Sequence, residues 1–397
     1  MSTAYLIVLD SVGIGAAPDA AEYGDTGAST LAHLAAAAGG IAVPTLQKLG
    51  LGCIPPLLPS GLPIAGVPAA DAPRASYGAM REVSRGKDTT TGHWELAGLH
   101  LPDGFALFPP GPPSFPGDLL DAFQERTGRA VIGNRAASGT AIIAELGEQQ
   151  LREGCWIVYT SADSVFQIAA HEETIPLPEL YRACEIAREL CDPLRVGRVI
   201  ARPYVGAPGR FRRTENRRDY SLPPPEPTLL DRLHDSGVRV TTVGKLDDVF
   251  AHRGIDESRH VENNPAAQAA VLSLLRERTP GLVFANLIDF DMLYGHRRDA
   301  RGYAAALEDA DRFLGDALPL LGAGDVLIIT ADHGNDPTFR GTDHTREFVP
   351  LLVYRTTHTG RPLGIREGFF DVAQSLAGFF GLPPLPRGRG FLDDAPA

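Results

Sequence analysis

The chain contains little cysteine. Its 397 residues include four, none of which forms a CxxC pair: Cys53, Cys155, Cys184 and Cys191. Four thiols in a chain of this length do not make a disulfide framework, which excludes the disulfide-rich secreted scaffolds. We therefore expect thiols with no catalytic role, in a reducing compartment such as the cytoplasm.

Long apolar runs and an excess of positive charge are also missing. The N-terminus has no basic region, and its apolar run stops at Asp10, which is too short for a signal peptide or a membrane span. Lys and Arg number 37 against 49 Asp and Glu, a net charge of −12 that argues against general nucleic-acid binding. We expect a cytoplasmic protein that acts on small molecules, with no membrane, nucleic-acid or obligate protein partner.

Length and proline content indicate two domains. A chain of 397 residues exceeds what one hydrophobic core usually organises. Two proline-rich stretches, "LPDGFALFPPGPPSFPG" from Leu101 and "SLPPPEPT" from Ser221, cannot lie inside helices or central strands. We interpret them as crossings between a discontinuous core, residues 1–100 and 223–397, and an inserted α+β cap domain, residues 101–222.

The core segments alternate between strand and helix patterns. "LIVLD" near the N-terminus, "RVTTVG", "GLVFANLID" and "DVLIITAD" are short apolar runs typical of buried strands. "STLAHLAAAAGG" from Ser29 and "YAAALEDADRFLGDAL" are typical of helices, and so is the segment that Asn264 opens, with Pro265 at its first helical position. This alternation predicts an α/β fold with a largely parallel sheet covered by helices.

Acidic residues and histidines follow three of the predicted strands. They are Asp10, then Asp289, Asp291 and His296, and then Asp332 and His333, with Asp343 and His344 a short loop later. Carboxylates that face one another raise each other's pKa unless a cation lies between them, and open parallel sheets carry their sites at the carboxyl ends of strands. Mixed carboxylate and imidazole ligands suit manganese, zinc or iron. The number of candidate ligands exceeds one tetrahedral shell, which favours two ions.

A threonine motif, "RGKDTTTGHWELAG", spans Arg85 to Gly98. Thr89, Thr90 and Thr91 stand at a predicted helix start, where free N–H groups and the helix dipole favour a phosphate. A threonine oxygen there can attack phosphorus if a metal lowers its pKa. The alternative is that the threonines only cap the helix. The roles of the histidine and the tryptophan that follow them in the motif stay open.

The glycines near Asp10 raise a competing hypothesis. Gly13 and Gly15 resemble the start of a dinucleotide-binding loop, but Pro18 stands where the third glycine is needed and a carboxylate ends the strand. A nucleotide-binding module or dehydrogenase would also leave the Asp and His residues unexplained. We interpret Asp10 as a metal ligand and the glycines as a turn beside the metals.

The motifs resemble those of the phosphopentomutase family, of the bacterial type in the alkaline phosphatase superfamily. The resemblance covers the whole chain and includes "LDSVGIGAAPDA", "GKDTTTGHWE", "GNRAASGT", "YTSADSVFQIAAHE", "NLIDFDMLYGHRRD" and "ADHGNDPTFRGTDHTREFVPLLVY". It implies an alkaline-phosphatase-like core that binds two Mn²⁺ ions. By motif, one ion would be held by Asp10, Thr89, Asp332 and His333, and the other by Asp291, His296 and His344.

The resemblance also implies a reaction. Thr89 would carry a phosphoryl group and exchange it between the 5- and 1-positions of ribose or 2-deoxyribose, after priming by a bisphosphate such as glucose 1,6-bisphosphate. The residues that resemble sugar or phosphate contacts are Asp163, Arg198, Arg213 and Lys245. Two rivals share the superfamily: a phosphatase or sulfatase, which would admit water, and a phosphoglycerate mutase, which would carry serine at position 89.

Overall fold

The computed structural model describes residues 2–161 and 164–392. The chain divides into two compact units, one formed by Met1–Asp103 with Pro224–Ala397 and the other by Gly104–Pro223. Residues 101–116 and 222–228, within the two proline-rich stretches, contain neither helix nor strand. Proline explains this, because its ring fixes φ and its nitrogen carries no hydrogen to donate.

Strands and helices alternate through most of the described residues. The strands are β1 (Thr3–Leu9), β2 (Ser76–Met80), β3 (Val131–Ala136), β4 (Trp156–Thr160), β5 (Val165–His171), β6 (Arg198–Val205), β7 (Arg212–Arg213), β8 (Arg218–Ser221), β9 (Val240–Val243), β10 (Glu257–Arg259), β11 (Gly281–Leu287), β12 (Val326–Thr330), β13 (Val349–Tyr354) and β14 (Pro362–Arg366). The α-helices are α1 (Thr30–Ala38), α2 (Pro44–Leu49), α3 (Thr89–Leu96), α4 (Gly117–Thr127), α5 (Gly139–Glu153), α6 (Leu177–Cys191), α7 (Leu229–Asp235), α8 (Leu246–Val249), α9 (Asn264–Glu277), α10 (Ala300–Ala317) and α11 (Phe370–Phe379). A π-helical turn spans Phe290–Gly295.

The first unit contains a sheet in the order β10-β9-β11-β1-β12-β13-β2-β14. From β10 to β12 every neighbouring pair is parallel, whereas β13 runs antiparallel to both β12 and β2. All seven residues of β1 are buried, which explains why this strand has a continuous apolar run rather than alternating polarity.

Register brings three strand ends together in this sheet. Leu9 of β1 lies opposite Leu287 of β11, and Val8 lies opposite Thr330 of β12. Because the three strands are parallel neighbours, the residues that follow them emerge at one edge. Asp10 is thereby placed beside the segments that begin after Leu287 and Thr330.

One predicted helix start is wrong by one residue. The N-cap of α9 is Asn263, whose side chain accepts a hydrogen bond from the Ala266 N–H at 3.0 Å. Asn264 instead exchanges hydrogen bonds with Asp289, accepting from the Asp289 N–H at 3.0 Å and donating its own N–H at 2.8 Å. The side chain of Asn264 is therefore used for a tertiary contact, and its neighbour caps the helix.

The second unit is built on a sheet in the order β3-β4-β5-β6-β7, with β8 also paired to β6. One face packs against α4 and α6 through a cluster that includes Phe123, Trp156 and Phe166. The other face packs against α5 through a smaller cluster that includes Ile142 and Tyr159. Trp156 and Tyr159 of one strand contribute to opposite clusters, as the pleat requires.

The cysteines and the helices add two smaller findings. All four cysteines are free thiols, and burial raises the pKa of Cys191 to about 12, which leaves it unreactive at neutral pH. Within the described ranges, no helix combines the length and the apolarity that crossing a membrane requires. The expected cytoplasmic location stays a prediction.

Candidate functional site

A buried cluster of carboxylates and imidazoles lies at the sheet edge where β1 and β12 end. His333 Nε2 is 3.3 Å from Asp332 Oδ2 and 3.6 Å from Asp10 Oδ1. One potential ligand atom from each of these three residues lies within 4.8 Å of the others, and all three residues are buried. This spacing is suitable for a single cation held between them.

A second group of ligand atoms adjoins the first. Asp291, in the π-helical turn, lies 3.0 Å through Oδ2 from His296 Nε2 and 3.4 Å through Oδ1 from His344 Nε2. The two imidazoles approach each other to 3.2 Å, and the His344 ring stacks on His333 at 3.9 Å between centroids. His333, His344 and Asp291 also have ligand atoms within 4.8 Å of one another. The two groups therefore form one continuous cluster.

The orientation of two imidazoles is fixed by backbone carbonyls. His296 Nδ1 lies 2.6 Å from the Thr342 carbonyl oxygen and His333 Nδ1 lies 3.1 Å from that of Gly334. A carbonyl only accepts, so each Nδ1 carries the hydrogen, and the Nε2 of a neutral ring presents a lone pair to the carboxylates. A nitrogen lone pair that faces a carboxylate oxygen requires a proton or a metal ion between the two atoms. Histidines that bind a metal usually donate their other ring N–H to a backbone carbonyl or a carboxylate, as these two do.

Electrostatics in the cluster also favour the binding of a cation. Burial raises the pKa of Asp10 well above its usual value, and the charges of Asp332 and Asp291 raise it further. Burial disfavours a charged imidazole at His344, yet Asp291 raises the pKa of His344 to about 9. Two buried carboxylate atoms, Asp10 Oδ1 and Asp332 Oδ2, have no hydrogen-bond partner. Such atoms are costly unless a cation binds them, so these residues fit divalent metal ions.

The threonine motif places one hydroxyl at this cluster. Thr89 is the first residue of α3, and its Oγ1 lies 3.2 Å from His333 Nε2. Asp88 is the N-cap and accepts from both the N–H of Thr91 at 3.1 Å and the Thr91 hydroxyl at 2.6 Å. The hydroxyl of Thr91 is therefore occupied in the cap, while that of Thr89 faces the cluster.

Three supporting residues were missed or left open by the sequence analysis. Asn286 Nδ2 donates to Asp10 Oδ2 at 2.7 Å, and Asn335 Nδ2 donates to Asp291 Oδ1 at 2.7 Å. His93 Nδ1 donates to the Thr89 carbonyl at 2.8 Å and lies 3.2 Å from Asp332 Oδ2. Asn286 could have been identified from the sequence, because it is a polar residue within the apolar strand "GLVFANL".

Arg346 anchors the loop that precedes Thr89. Its guanidinium, 2% exposed, pairs with the carboxylates of Asp19 and Glu82. It also donates to the carbonyls of Gly86 at 2.6 Å and Glu82 at 2.7 Å. A planar fork of five N–H donors suits this arrangement, because it holds several acceptors in fixed directions.

Other predicted residues lie outside this cluster. Lys245 is exposed two residues after β9, Arg213 is exposed in β7, and Arg198 at the start of β6 lies 3.7 Å from Asp219. Asp163 lies outside the described residues. The structure therefore gathers Asp10, Thr89, Asp291, His296, Asp332, His333 and His344 into one cluster.

Two further strand-end carboxylates have structural partners. Asp289 Oδ2 accepts the N–H of Asn264 at 2.8 Å, which joins it to the start of α9. Asp343 forms an ion pair with Lys87 at 3.3 Å, and Lys87 also contacts Asp25 at 3.2 Å. Lys87 thereby connects the threonine motif to two other loops of the same unit.

The sheet edge and its carboxylate and imidazole cluster define a metal-dependent enzyme. In agreement, a profile of the metalloenzyme superfamily matches residues 2–384. The predicted α/β fold with a largely parallel sheet is confirmed by the strand order and by the parallel pairing from β10 to β12.

The chain belongs to the phosphopentomutase family. It is 53% identical over 396 residues to the phosphopentomutase of Desulfitobacterium hafniense, covering 99% of this chain and 100% of the relative. It is 52% identical over 394 residues to that of Dictyoglomus thermophilum, covering 99% and 98%. A phosphoglycerate mutase structure from Leishmania mexicana shares the fold, with a TM-score of 0.52 at 14% identity over 98% and 97% of the chains. The chain is thus an isomerase of the phosphomutase type.

Proposed function

We propose that the protein interconverts ribose 5-phosphate and ribose 1-phosphate, and the 2-deoxyribose analogues, through a phosphothreonine at Thr89. The observation that carries the proposal is the Thr89 hydroxyl, which lies 3.2 Å from His333 in a cluster that is otherwise carboxylate and imidazole. Family membership supports the pentose substrates. Glucose 1,6-bisphosphate, or a similar sugar bisphosphate, would prime the threonine.

Two Mn²⁺ ions would be held by the cluster, one by Asp10, Thr89, Asp332 and His333 and the other by Asp291, His296 and His344. The mixed oxygen and nitrogen donor set suits manganese. When bound, the ions would stabilise negative charge on the attacking, leaving and phosphoryl oxygens. The atoms without hydrogen-bond partners on Asp10 and Asp332 support this assignment.

Phosphoryl transfer requires that Thr89 both release and regain its group. The bond between phosphorus and Thr89 Oγ1 breaks while a bond to the free sugar hydroxyl forms, and the proton lost by the sugar balances the one that the threonine gains. The sugar is then a bisphosphate, and the same exchange at its other end returns a phosphoryl group to Thr89. His93 holds the first turn of α3 in place through its 2.8 Å hydrogen bond to the Thr89 carbonyl.

Residues outside the cluster would recognise the sugar phosphate. Arg213 is exposed and presents a guanidinium that can bind a phosphate with two parallel hydrogen bonds. Arg198 and Asp163 would contact the sugar, and the exposed Lys245 would contact a phosphate. A phosphatase or sulfatase of the same superfamily is the alternative, and it differs in delivering the phosphoryl group to water.

An assay that follows two products separates these functions. The enzyme with Mn²⁺ and glucose 1,6-bisphosphate should convert ribose 5-phosphate to ribose 1-phosphate with little free phosphate, and chelation of the metal should stop turnover. Intact-protein mass spectrometry should show one phosphoryl group, absent in Thr89→Ala and present in Thr91→Ala. Phosphate release that equals turnover would identify a hydrolase, and a label that persists in Thr89→Ala would refute the assigned nucleophile.

A further inference from the structure

A second group of metal-type side chains surrounds Asp247, and it shares no residue with the cluster above. Asp247 lies in α8 with its side chain 3% exposed. Its Oδ2 is 2.9 Å from His260 Nε2 and 3.5 Å from His252 Nδ1. Its Oδ1 is buried and has no hydrogen-bond partner. A buried carboxylate therefore meets two imidazoles and keeps one oxygen unsatisfied.

The three side chains come from two segments of the first unit. Asp247 is in α8, His252 is in the turn that follows it, and His260 comes directly after β10. Asp248 adds a further carboxylate, since Asp247, Asp248 and His252 have ligand atoms within 4.8 Å of one another. Zinc bonds of the usual length at the tetrahedral angle separate neighbouring ligand atoms by about 3.3 Å, between the two distances observed at Asp247.

We propose that Asp247, His252 and His260, with Asp248, form a binding site for a divalent cation of the zinc type. Two imidazoles among the donors favour zinc, copper or nickel over magnesium or calcium. Both imidazoles are open to solvent, with 72% and 62% of the side chain exposed, so an ion has a route of entry. The site is independent of the proposed phosphoryl transfer.

Zinc binding by the whole protein, free of any affinity tag, tests this site. After equilibrium dialysis in buffered Zn²⁺, the double variant His252→Ala/His260→Ala should bind one equivalent less than the wild type. His234→Ala is the matched control, because His234 is exposed and pairs with a single carboxylate, that of Asp256, at 2.8 Å; its zinc content should equal that of the wild type. Anomalous diffraction at the zinc edge should show a peak at Asp247.

Mutase turnover with Mn²⁺ gives a separate readout. The double variant should turn over at the wild-type rate, because the changed imidazoles are exposed and take no part in the proposed transfer. Equal zinc content in the wild type and the double variant would overturn the proposal. It would mean that the two imidazoles only form hydrogen bonds to Asp247. The same loss of zinc in His234→Ala would also overturn the proposal, because zinc binding would then not require two imidazoles at one carboxylate.

Discussion

Replacing Arg346 with alanine removes the partner of a buried carboxylate and frees the loop before Thr89. Glu82 is 3% exposed, and burial already raises its pKa well above the usual value despite the attraction of Arg346. Removing one partner of a buried ion pair typically costs about 3–5 kcal/mol, because the other group must then stay buried as an unpaired charge or take up a proton. Total stability is roughly 5–15 kcal/mol, so we expect a folded but strongly destabilised variant.

Two measurements examine this reasoning. Denaturant unfolding should show the loss, and adding Glu82→Gln to Arg346→Ala should recover part of it, since a glutamine needs neither a cationic partner nor an added proton. Phosphorylation of Thr89 should be slow in Arg346→Ala because the Gly86 carbonyl loses its 2.6 Å anchor, and free guanidinium should restore part of the rate.

The control is Arg366→Ala, which breaks an ion pair to Asp371 at 2.7 Å. It should lower stability without slowing the phosphorylation of Thr89. A loss below about 1 kcal/mol in Arg346→Ala would contradict the expected cost of an unpaired buried charge. An unchanged rate of phosphorylation in that variant would show that Arg346 does not position the loop.

Three further outcomes are expected. His344→Ala should lose about one of the two proposed Mn²⁺ equivalents and nearly all turnover, as measured by metal analysis and kinetics; full metal content would contradict the ligand assignment. Arg213→Ala should raise KM for ribose 5-phosphate, whereas its exposed neighbour Arg212→Ala should not; equal effects would mean non-specific attraction. Thr91→Ala should lower the unfolding free energy by about 1 kcal/mol, because it removes the hydrogen bond from the Thr91 hydroxyl to Asp88, and a loss of the phosphoryl label there would contradict the assignment to Thr89.

Local sequence was sufficient to predict that Asp10 and Asp332 follow neighbouring strands. Asp10 and Asp332 each end an apolar run, and parallel neighbours bring such ends to one edge of a sheet. The antiparallel direction of β13 was not predictable in this way, because an apolar run has no direction. The start of α9 was also missed, since Asn263 and Asn264 are both good caps and only the tertiary contact of Asn264 with Asp289 distinguishes them.

The supporting residues were harder to identify than the ligands. Arg346 pairs with Asp19 and Glu82, which are 327 and 264 positions away in sequence, so no local pattern shows its role. The choice among three adjacent threonines rested on resemblance alone. In the structure, the difference is that Thr91 donates to Asp88 while Thr89 meets His333.

The cluster connects metal binding to the stability of the fold. Burial raises the pKa of Asp10, and the charges of Asp332 and Asp291 raise it further. Protein donors offset only part of this cost at Asp10, since Asn286 donates to Oδ2 while Oδ1 has no hydrogen-bond partner. A cation that binds the folded state alone stabilises it in proportion to the logarithm of its concentration over Kd. The same ions that would carry the chemistry would therefore also stabilise the sheet edge, at which β1 and β12 end.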